Sequence, residues 1–327
     1  MVQALFAVEL VRSQFPQAEI HWVTRLDQAE WLKESGLVDR VWALDRRQGF
    51  RGLWKLSNEL KDQSFTHIYD AHSNTRSHWL SFYLKSLTWP WRRPQFVRRS
   101  KERFKRWLLF VWRVNRYSHW PYRGAWSYME PLKVWGLELP DQAQETAVNP
   151  QPFSGLESLD SEAQGWIGGS VVLVPSANWE LKRWPLERWQ ELVRDWPEQR
   201  FTVLAGPEDG FVEQIVAVAP DRVRSFAGRF SWVQSISALG QAKAVVSGDT
   251  GLLHMADFLG RPTVALLGPT AFGFPFRSTT KLQYLNLPCS PCTKDGRGRC
   301  KNKVHKQCLW GIQAKGLKQE ILRSLER

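Results

Sequence analysis

The sequence predicts an α/β protein built from two doubly wound domains with parallel sheets. Short apolar strands alternate with amphipathic helices in both halves of the chain, as they do in such domains. A length of 327 residues is enough for about two domains. Residues 244–270 also form a complete strand–helix–strand pattern. We therefore expect one domain over residues 1–150 and a second over 151–327, facing each other across a central cleft.

In the first half, helices and strands alternate from the N-terminus onward. The predicted elements are helices over 2–15, 28–35 and 53–63 and strands over 20–23, 41–44 and 66–69. Because the chain begins on a helix, whereas such a domain normally begins with a strand, the first strand is expected to be missing. Residues 141–162 are polar and lack periodicity, which predicts the linker between the domains.

The second half restarts the same alternation. Its predicted elements are strands over 171–174, 201–205, 244–247 and 263–267 and helices over 186–195, 211–219, 232–240 and 252–259. The last helix of the chain is expected to pack back on the N-terminal domain. The turn 248–251 carries two glycines and opens a helix, so its backbone N–H groups and the helix dipole suit a phosphate. His254 follows on the helix face nearest that turn.

The composition indicates a globular, soluble protein with acidic partners. Apolar residues make up 43% of the chain, which excludes disorder, and no stretch reaches the roughly 18 apolar residues of a membrane span. The apolar N-terminus is interrupted by Glu9 and lacks a basic segment, so we expect no signal peptide and a cytoplasmic location. The formal net charge of +13 favours nucleic acid, an anionic membrane surface or phosphorylated substrates as partners.

Much of the positive charge is concentrated in residues 92–106, where eight basic residues interleave with aromatic ones. This composition suits a membrane interface, and it also suits the stacking of nucleic-acid bases. The alternative is a solvated basic helix whose aromatic residues pack inward. Because no recognisable nucleic-acid-binding module is present, we do not expect nucleic acid as a partner.

Four segments of the second half, taken together, resemble the family-nine glycosyltransferases, the lipopolysaccharide heptosyltransferases. They carry a Lys before an aromatic and a Pro, a Gly-x-Glu turn, the Ser-Gly-Asp-Thr-Gly-x-x-His signature and a Leu-Gly-Pro-Thr turn, at residues 175–185, 204–208, 247–256 and 267–270. The first half adds similar residues at 15–16, 20–23, 69–70 and 76–77.

The resemblance implies two Rossmann-like domains in the GT-B arrangement. It also implies inverting transfer of heptose from ADP-heptose to the inner core of lipopolysaccharide, with no cofactor or catalytic metal required. Such an enzyme is expected to act at the inner face of the inner membrane, as a peripheral protein on an anionic membrane surface. The residue chemistry agrees, because N–H donors and a cation stabilise the charge on a departing nucleotide diphosphate.

The resemblance assigns donor binding to residues at neighbouring strand ends, namely Ser176, Lys182, Glu208, Asp249, Thr250, Gly251, His254 and Thr270. Glu208 is expected to bind the ribose of the nucleoside. The alternatives are that Asp249 is only a helix N-cap, that Lys182 and Arg183 form a solvated surface pair, and that His254 is a core residue.

The expected acceptor contacts lie at a strand end in the first half, at Asn74, Arg76 and Ser77. The family's acceptor carries carboxylates and phosphates, and Arg is their natural bidentate partner. The family's catalytic base is an aspartate in the turn before the first helix, which would lie upstream of Met1, so the catalytic residue stays unassigned. Either the chain starts inside a longer natural protein, or it is a catalytically impaired member that binds nucleotide sugar or lipopolysaccharide.

All four cysteines fall within residues 289–308, at Cys289, Cys292, Cys300 and Cys308. Four close thiols in a cytosolic chain are compatible with a structural zinc, with His305 as a substitute for one ligand. The spacing matches no common zinc module well. Reduced buried thiols and disulfides are the alternatives.

Overall fold

A computed structural model describes residues 1–86, 93–140 and 159–325. The chain divides into two compact units, which we describe separately. Among the described residues, the first unit holds most of 1–103 together with 125–140, and the second holds 104–124 and 159–325. Residues 141–158 of the predicted linker lie outside the described residues, so the domain division at residue 150 stays a prediction.

The first half of the chain alternates helices and strands, as predicted. Its helices are α1 (Leu5–Gln14), α2 (Ala29–Glu34), α3 (Gly49–Lys61), α4 (Thr75–Ser86), α5 (Arg103–Trp107) and α6 (Gly124–Met129). Its strands are β1 (His21–Arg25), β2 (Arg40–Leu44), β3 (His67–Asp70) and β4 (Gln95–Arg98). Helix α1 is buried on all sides over its first turn, at Leu5, Phe6, Ala7 and Val8, with Leu5 and Phe6 almost fully enclosed.

These strands form two separate parallel pairs, β1 with β2 and β3 with β4, in place of the single sheet predicted. In a doubly wound sheet the first strand is central, and the later strands lie on either side of it. Among the described residues, no strand joins the two pairs. Each pair therefore stands as its own two-stranded sheet.

The basic segment 92–106 is not the continuous helix that one interpretation of the sequence expected. Residues Gln95–Arg98 are a strand, and α5 begins only at Arg103, while Arg92 lies outside the described residues. No clean alternation marks the strand, because only Val97 is buried, Phe96 is half-buried, and Gln95 and Arg98 are exposed. The inward packing of the aromatic residues is also wrong for α5, since Phe104 is 70% exposed.

The second unit contains one six-stranded parallel sheet, which confirms the predicted α/β class. Its strands are β5 (Val171–Val174), β6 (Phe201–Val203), β7 (Val223–Ser225), β8 (Ala244–Gly248), β9 (Thr263–Leu267) and β10 (Thr280–Tyr284), in the order β10-β9-β8-β5-β6-β7. Its helices are α7 (Ser161–Ile167), α8 (Leu186–Arg194), α9 (Glu213–Val216), α10 (Trp232–Gln241), α11 (Gly251–Phe258), α12 (Gln307–Trp310) and α13 (Ala314–Leu325).

The four interior strands β5, β6, β8 and β9 are buried along their whole length, as the continuous apolar runs predict. Helix α13 packs against α8 and β9, and its Leu317 and Ile321 are fully buried in this core. The further expectation that this last helix packs back on the N-terminal domain stays a prediction. No helix in the described part of the chain is long and apolar enough to cross a membrane.

Candidate anion-binding site

Three loops of the second unit meet at one edge of the central sheet. Lys182 follows β5, Asp249 follows β8, and Thr270 follows β9, and these three strands are neighbours in the sheet. Because all three run parallel, their carboxyl ends lie at the same edge. The structure therefore brings together side chains that are 88 residues apart in the sequence, from Lys182 to Thr270.

The Asp249 carboxylate is the centre of this cluster. Its Oδ2 atom lies 3.0 Å from Lys182 Nζ and accepts a hydrogen bond of 2.8 Å from Thr270 Oγ1. Its Oδ1 atom lies 3.5 Å from His254 Nε2. The Asp249 and Lys182 side chains are 12% and 16% exposed. The cluster is thus a largely buried ion pair supported by a hydroxyl and an imidazole.

The environment keeps Asp249 ionised. Burial by itself raises the pKa of this carboxyl. The contact with His254, the Lys182 charge and the hydrogen bond from Thr270 together lower the pKa by more than burial raises it. The net result is a pKa well below the ordinary value of an aspartate. Lys182 therefore has a permanent anionic partner at neutral pH, which fixes the position of its ammonium group.

Thr250, and not Asp249, caps helix α11. Thr250 has extended backbone angles, and its Oγ1 atom accepts a 3.1 Å hydrogen bond from the backbone N–H of Leu253. The alternative that Asp249 is only an N-cap is therefore wrong. The first N–H groups of an α-helix have no acceptor inside the helix, and Gly251, the first residue of α11, is exposed. This helix end can donate hydrogen bonds to an anion.

One interpretation of the sequence made Lys182 and Arg183 a solvated surface pair, and the structure contradicts it. The Lys182 side chain turns inward to Asp249, and Arg183 pairs with Asp209 at 3.2 Å. Arg183 also donates a 2.8 Å hydrogen bond to the Ala177 carbonyl. Arg183 thereby ties the loop after β5 to the loop after β6, and leaves Lys182 as the cation of the cluster.

Two glycines that sequence reasoning missed shape the cluster. A Cβ atom at Gly273 would lie 2.3 Å from Asp249 Cγ, so only glycine leaves room for the carboxylate. Gly296 has a φ of +93°, and a Cβ atom there would lie 2.7 Å from the Lys182 stem. The segment containing Gly296 is joined to the third loop by hydrogen bonds from the N–H groups of Cys292 and Thr293 to the Pro269 carbonyl. Nothing in the local sequence marks either glycine.

Two further predicted donor residues lie at neighbouring loops. Ser176 follows β5, and its buried Oγ atom has no hydrogen-bond partner in the part of the chain that the structure describes. A buried hydroxyl without a partner is costly, so it favours a ligand at this position. Glu208 is exposed in the turn after β6, and no contact described by the structure joins it to Asp249. Its predicted role with the ribose stays a prediction.

The predicted acceptor residues lie at the start of α4 in the first unit. Asn74 Oδ1 accepts a hydrogen bond of 2.9 Å from the Ser77 N–H, and Ser77 Oγ accepts one of 2.9 Å from the Asn74 N–H. These two residues therefore cap the helix reciprocally. Arg76 is exposed between them. Of the three, Arg76 has the side chain best placed to meet an anion.

The four cysteines line one small cavity of about 10 Å³, together with Leu181, Pro269, Asn302, Lys306 and Gln307. All four are free thiols, so disulfides do not form. Burial, with a smaller contribution from the other thiols, raises the pKa of Cys308 to about 11. His305 contacts Glu180 at 3.6 Å and does not line the cavity. Among the described residues, no group of three or more His, Cys, Asp or Glu side chains is arranged to hold a metal ion, so the structural zinc stays a prediction.

Comparison with known proteins identifies the family. The profile of glycosyltransferase family 9 (heptosyltransferase) matches residues 53–303, which include every residue of the Asp249 cluster. This chain belongs to glycosyltransferase family 9. The match confirms the resemblance that the signature at 247–256 predicted.

Individual members are similar along most or part of the chain. Lipopolysaccharide heptosyltransferase 1 of Pseudomonas aeruginosa is 25% identical over 313 residues, which cover 90% of this chain and 83% of the relative. Lipopolysaccharide heptosyltransferase 2 of Escherichia coli K12 is 31% identical over 113 residues, or 32% of each chain. The relatives are thus heptosyltransferases that act on lipopolysaccharide.

Solved structures share the fold. Escherichia coli heptosyltransferase WaaC, solved with ADP, has a TM-score of 0.66 at 19% identity and covers 99% of this chain and 95% of its own. The Escherichia coli ADP-heptose lipopolysaccharide heptosyltransferase II has a TM-score of 0.66 at 17% identity, over 100% and 95% of the two chains. At these identities the likeness shows the fold, and the fold is the one predicted from the sequence.

Proposed function

We propose that this chain transfers heptose from ADP-heptose to the inner core of lipopolysaccharide, with inversion at the anomeric carbon. The observation that carries the proposal is the buried Lys182–Asp249 pair beside the N-terminus of α11. Membership of the heptosyltransferase family supplies the class of reaction, and the cluster supplies a place for a nucleotide diphosphate. No cofactor or catalytic metal is required in this scheme.

The chemistry of the leaving group explains the arrangement. Cleavage of the glycosidic bond places negative charge on the departing diphosphate, and a positioned cation stabilises that charge. Lys182 supplies the cation, and the first N–H groups of α11 supply hydrogen bonds. The Asp249 carboxylate fixes the position of the Lys182 ammonium group and is itself bound to Thr270. Asp249 is therefore a positioning residue that acts on the phosphates through Lys182.

The remaining residues have roles that follow from their positions. Ser176 has an unpartnered hydroxyl for the donor, and Thr270 and His254 hold the Asp249 carboxylate. Glu208 binds the ribose, and Arg76, flanked by Asn74 and Ser77, binds an anionic group of the acceptor. The general base is assigned to no residue, so donor binding and turnover have to be measured separately.

The test combines calorimetric titration with ADP-heptose and a turnover assay on a deacylated inner-core acceptor. We expect saturable binding that Lys182→Met weakens at least tenfold, because one charge-assisted contact to a phosphate is removed. A UDP-activated hexose serves as the control donor. Turnover, with product stereochemistry read by NMR, establishes the transferase. Binding without turnover would instead establish the alternative, a catalytically impaired binding protein, and absence of binding would refute both.

The location follows from the acceptor. Lipopolysaccharide is made on a membrane, so we place the protein peripherally at the inner, cytoplasmic face of the inner membrane, in contact with an anionic surface. Fractionation of the cells would test this placement. We expect the protein in the membrane pellet at low salt and in the supernatant at high salt, because surface electrostatic attraction is screened by ions.

A structural zinc bound by the four cysteines belongs to the same proposal. The cavity they line adjoins the loop that carries Gly296, so a metal there would hold the wall against which Lys182 packs. Thiols must lose their protons to bind zinc, and the raised pKa of Cys308 makes binding weaker at low pH. Elemental analysis of the purified protein should return about one zinc per chain. A Cys292→Ser variant that keeps the same metal content would contradict the assignment.

A further inference from the structure

The segment that follows β4 exposes an unusual row of aromatic side chains. It consists of α5 and a turn of π-helix over Leu108–Trp112, followed by an irregular stretch to residue 120. Phe104, Trp107, Trp112 and Trp120 are 70%, 49%, 64% and 42% exposed. Adjacent rings contact one another, with centroids 6.1 Å apart for Phe104 and Trp107 and 6.2 Å apart for Trp107 and Trp112. We call Phe104, Trp107, Val111 and Trp112 the aromatic face.

The opposite side of this segment is anchored in the second unit. Leu109 is only 4% exposed, and the ring centroid of Phe110 lies 6.0 Å from that of Phe272. The Arg106 guanidinium lies 4.9 Å from the same Phe272 ring. Because this inner side is fixed, the helix cannot rotate to bury its aromatic face. The outward direction of those rings is therefore a property of the fold.

The segment that carries the aromatic face is strongly basic. From residue 101 to residue 123 there is one acidic residue, Glu102, against seven basic residues, namely Lys101, Arg103, Lys105, Arg106, Arg113, Arg116 and Arg123. Arg103 and Arg116 are exposed, while the Arg113 guanidinium donates a hydrogen bond to the Pro291 carbonyl. A surface that combines exposed tryptophan and phenylalanine with arginine matches the boundary between lipid headgroups and acyl chains.

We propose that the aromatic face and its flanking arginines bind the surface of an anionic phospholipid bilayer. The indole and phenyl rings would enter the headgroup boundary, and Arg103 and Arg116 would meet lipid phosphates. The functional consequence, access to an acceptor embedded in the same membrane, rests on the proposed function. Membrane binding itself does not.

The charge pattern favours a lipid surface over a second copy of the chain. In a symmetric dimer the same patch would face itself, so the arginines of both copies would be brought together and would repel. A bilayer with anionic headgroups carries charge of the opposite sign and therefore attracts the same arginines. Each basic residue near such a surface adds roughly a fivefold gain in binding.

The first test is sedimentation of the full chain with vesicles, and it needs neither donor nor acceptor. The vesicles are phosphatidylcholine with or without about a third of phosphatidylglycerol. We expect binding to the anionic vesicles and a loss of roughly tenfold or more in the variant F104S/W107S/W112S. The matched control is F15S/W54S/F82S, which removes three exposed aromatic residues on separate elements of the first unit and should bind as the native chain does. Circular dichroism spectra of both variants serve as the control for correct folding.

A charge variant separates lipid binding from plain hydrophobic adsorption. Arg103→Glu with Arg116→Glu should lower binding to anionic vesicles roughly tenfold or more, whereas Arg51→Glu with Arg194→Glu should not. Unchanged binding in F104S/W107S/W112S, or equal loss in both aromatic variants, would overturn the proposal. Concentration-dependent dimerisation that the same variant abolishes would also overturn it, and so would preferential binding of RNA.

The second test connects the surface to activity. If the protein is a transferase, F104S/W107S/W112S should act normally on a deacylated acceptor in solution and lose roughly tenfold on the same acceptor embedded in anionic vesicles. Equal loss on both acceptors would contradict a membrane role. If no transfer is seen with either acceptor, the proposed function fails, while the vesicle-binding result still decides the membrane proposal.

Discussion

Two turns of this molecule look alike in sequence and are used differently. The turn after β3 in the first unit and the turn after β8 in the second each place a buried aspartate, Asp70 or Asp249, just before a capped helix. Asn74 caps the first helix and Thr250 caps the second. Both aspartates also have a basic partner, Arg98 at 2.8 Å and Lys182 at 3.0 Å.

The difference lies in what the carboxylates hold. Asp70 accepts hydrogen bonds from the backbone N–H groups of His72 and Ser73, so it mainly shapes its own turn. Asp249 is held by the side chains of Lys182, His254 and Thr270, which come from three separate segments. A carboxylate bonded to its own backbone is a local structural device, whereas one that gathers distant side chains builds a site.

The largest expected effect separates the two carboxylates by stability. Asp249→Asn leaves the buried ammonium of Lys182 without its counter-charge and should cost about 3–5 kcal/mol of unfolding free energy. Asp70→Asn keeps an oxygen that accepts the His72 and Ser73 N–H bonds and loses the charge-assisted bond from Arg98, so it should cost about 1.5–3 kcal/mol. Urea denaturation of both variants measures the difference. Equal losses of unfolding free energy would mean that the two carboxylates stabilise the protein to the same extent.

A double variant shows whether the loss at Asp249 comes from the stranded charge. Lys182→Met together with Asp249→Asn removes both charges, so it should be more stable than Asp249→Asn alone. It should nevertheless fail to bind ADP, because the cation is gone. A double variant that is no more stable than the single one would show that the ion pair is not what Asp249 contributes.

The second prediction uses two glycines of the same loop. Gly296 and Gly298 both have positive φ values, +93° and +97°, so alanine at either should cost a similar backbone strain of about 1–3 kcal/mol. Among the residues that the structure describes, the new Cβ atom would meet Lys182 only at Gly296, and no atom lies within 4 Å of its position at Gly298. We expect Gly296→Ala to weaken ADP binding about tenfold or more by titration calorimetry, and Gly298→Ala to leave it unchanged. Equal affinities would remove this loop from the site.

Some features of the sheet and of the Asp249 cluster can be predicted from the sequence, and others cannot. The central strand at 171–174 is predicted to the residue, because it is a buried apolar run between clear turn signals. The joint position of Lys182, Asp249 and Thr270 is predictable as well, since parallel strands end at one edge. The contacts of Gly273 and Gly296 are not, because each depends on a loop folding against a side chain from elsewhere.

The strands that the sequence analysis missed are missed for a physical reason. β7 and β10 are the two edges of the six-stranded sheet and are only partly buried. Edge strands carry mixed polar and apolar residues, so neither a continuous apolar run nor a clean alternation marks them. β4 is missed because its two apolar residues stand in a basic segment whose charges dominate the pattern.

The third prediction concerns pH. The folded state holds the pKa of Asp249 below its ordinary value, so the carboxylate stabilises the protein above the unfolded pKa of about 3.9. That contribution is lost as the pH falls from there through the depressed folded value. Over this window the native chain should lose up to about 1.4 kcal/mol per pH unit more than Asp249→Asn does. Urea midpoints between pH 7 and pH 2 test this, and parallel curves for the two proteins would contradict it.

The smallest expected effect lies at the start of α4, where a capping residue and a proposed acceptor residue are neighbours. Asn74→Ala removes a helix cap and should cost about 1 kcal/mol of stability while leaving the kinetics of transfer unchanged. Arg76→Ala should do the reverse, since Arg76 is exposed and its removal leaves stability within about 0.5 kcal/mol. Its KM for the acceptor should rise about tenfold, with donor affinity unaltered. If Asn74→Ala raised the acceptor KM as much as Arg76→Ala did, the effect would come from the shape of the turn and not from a contact by Arg76.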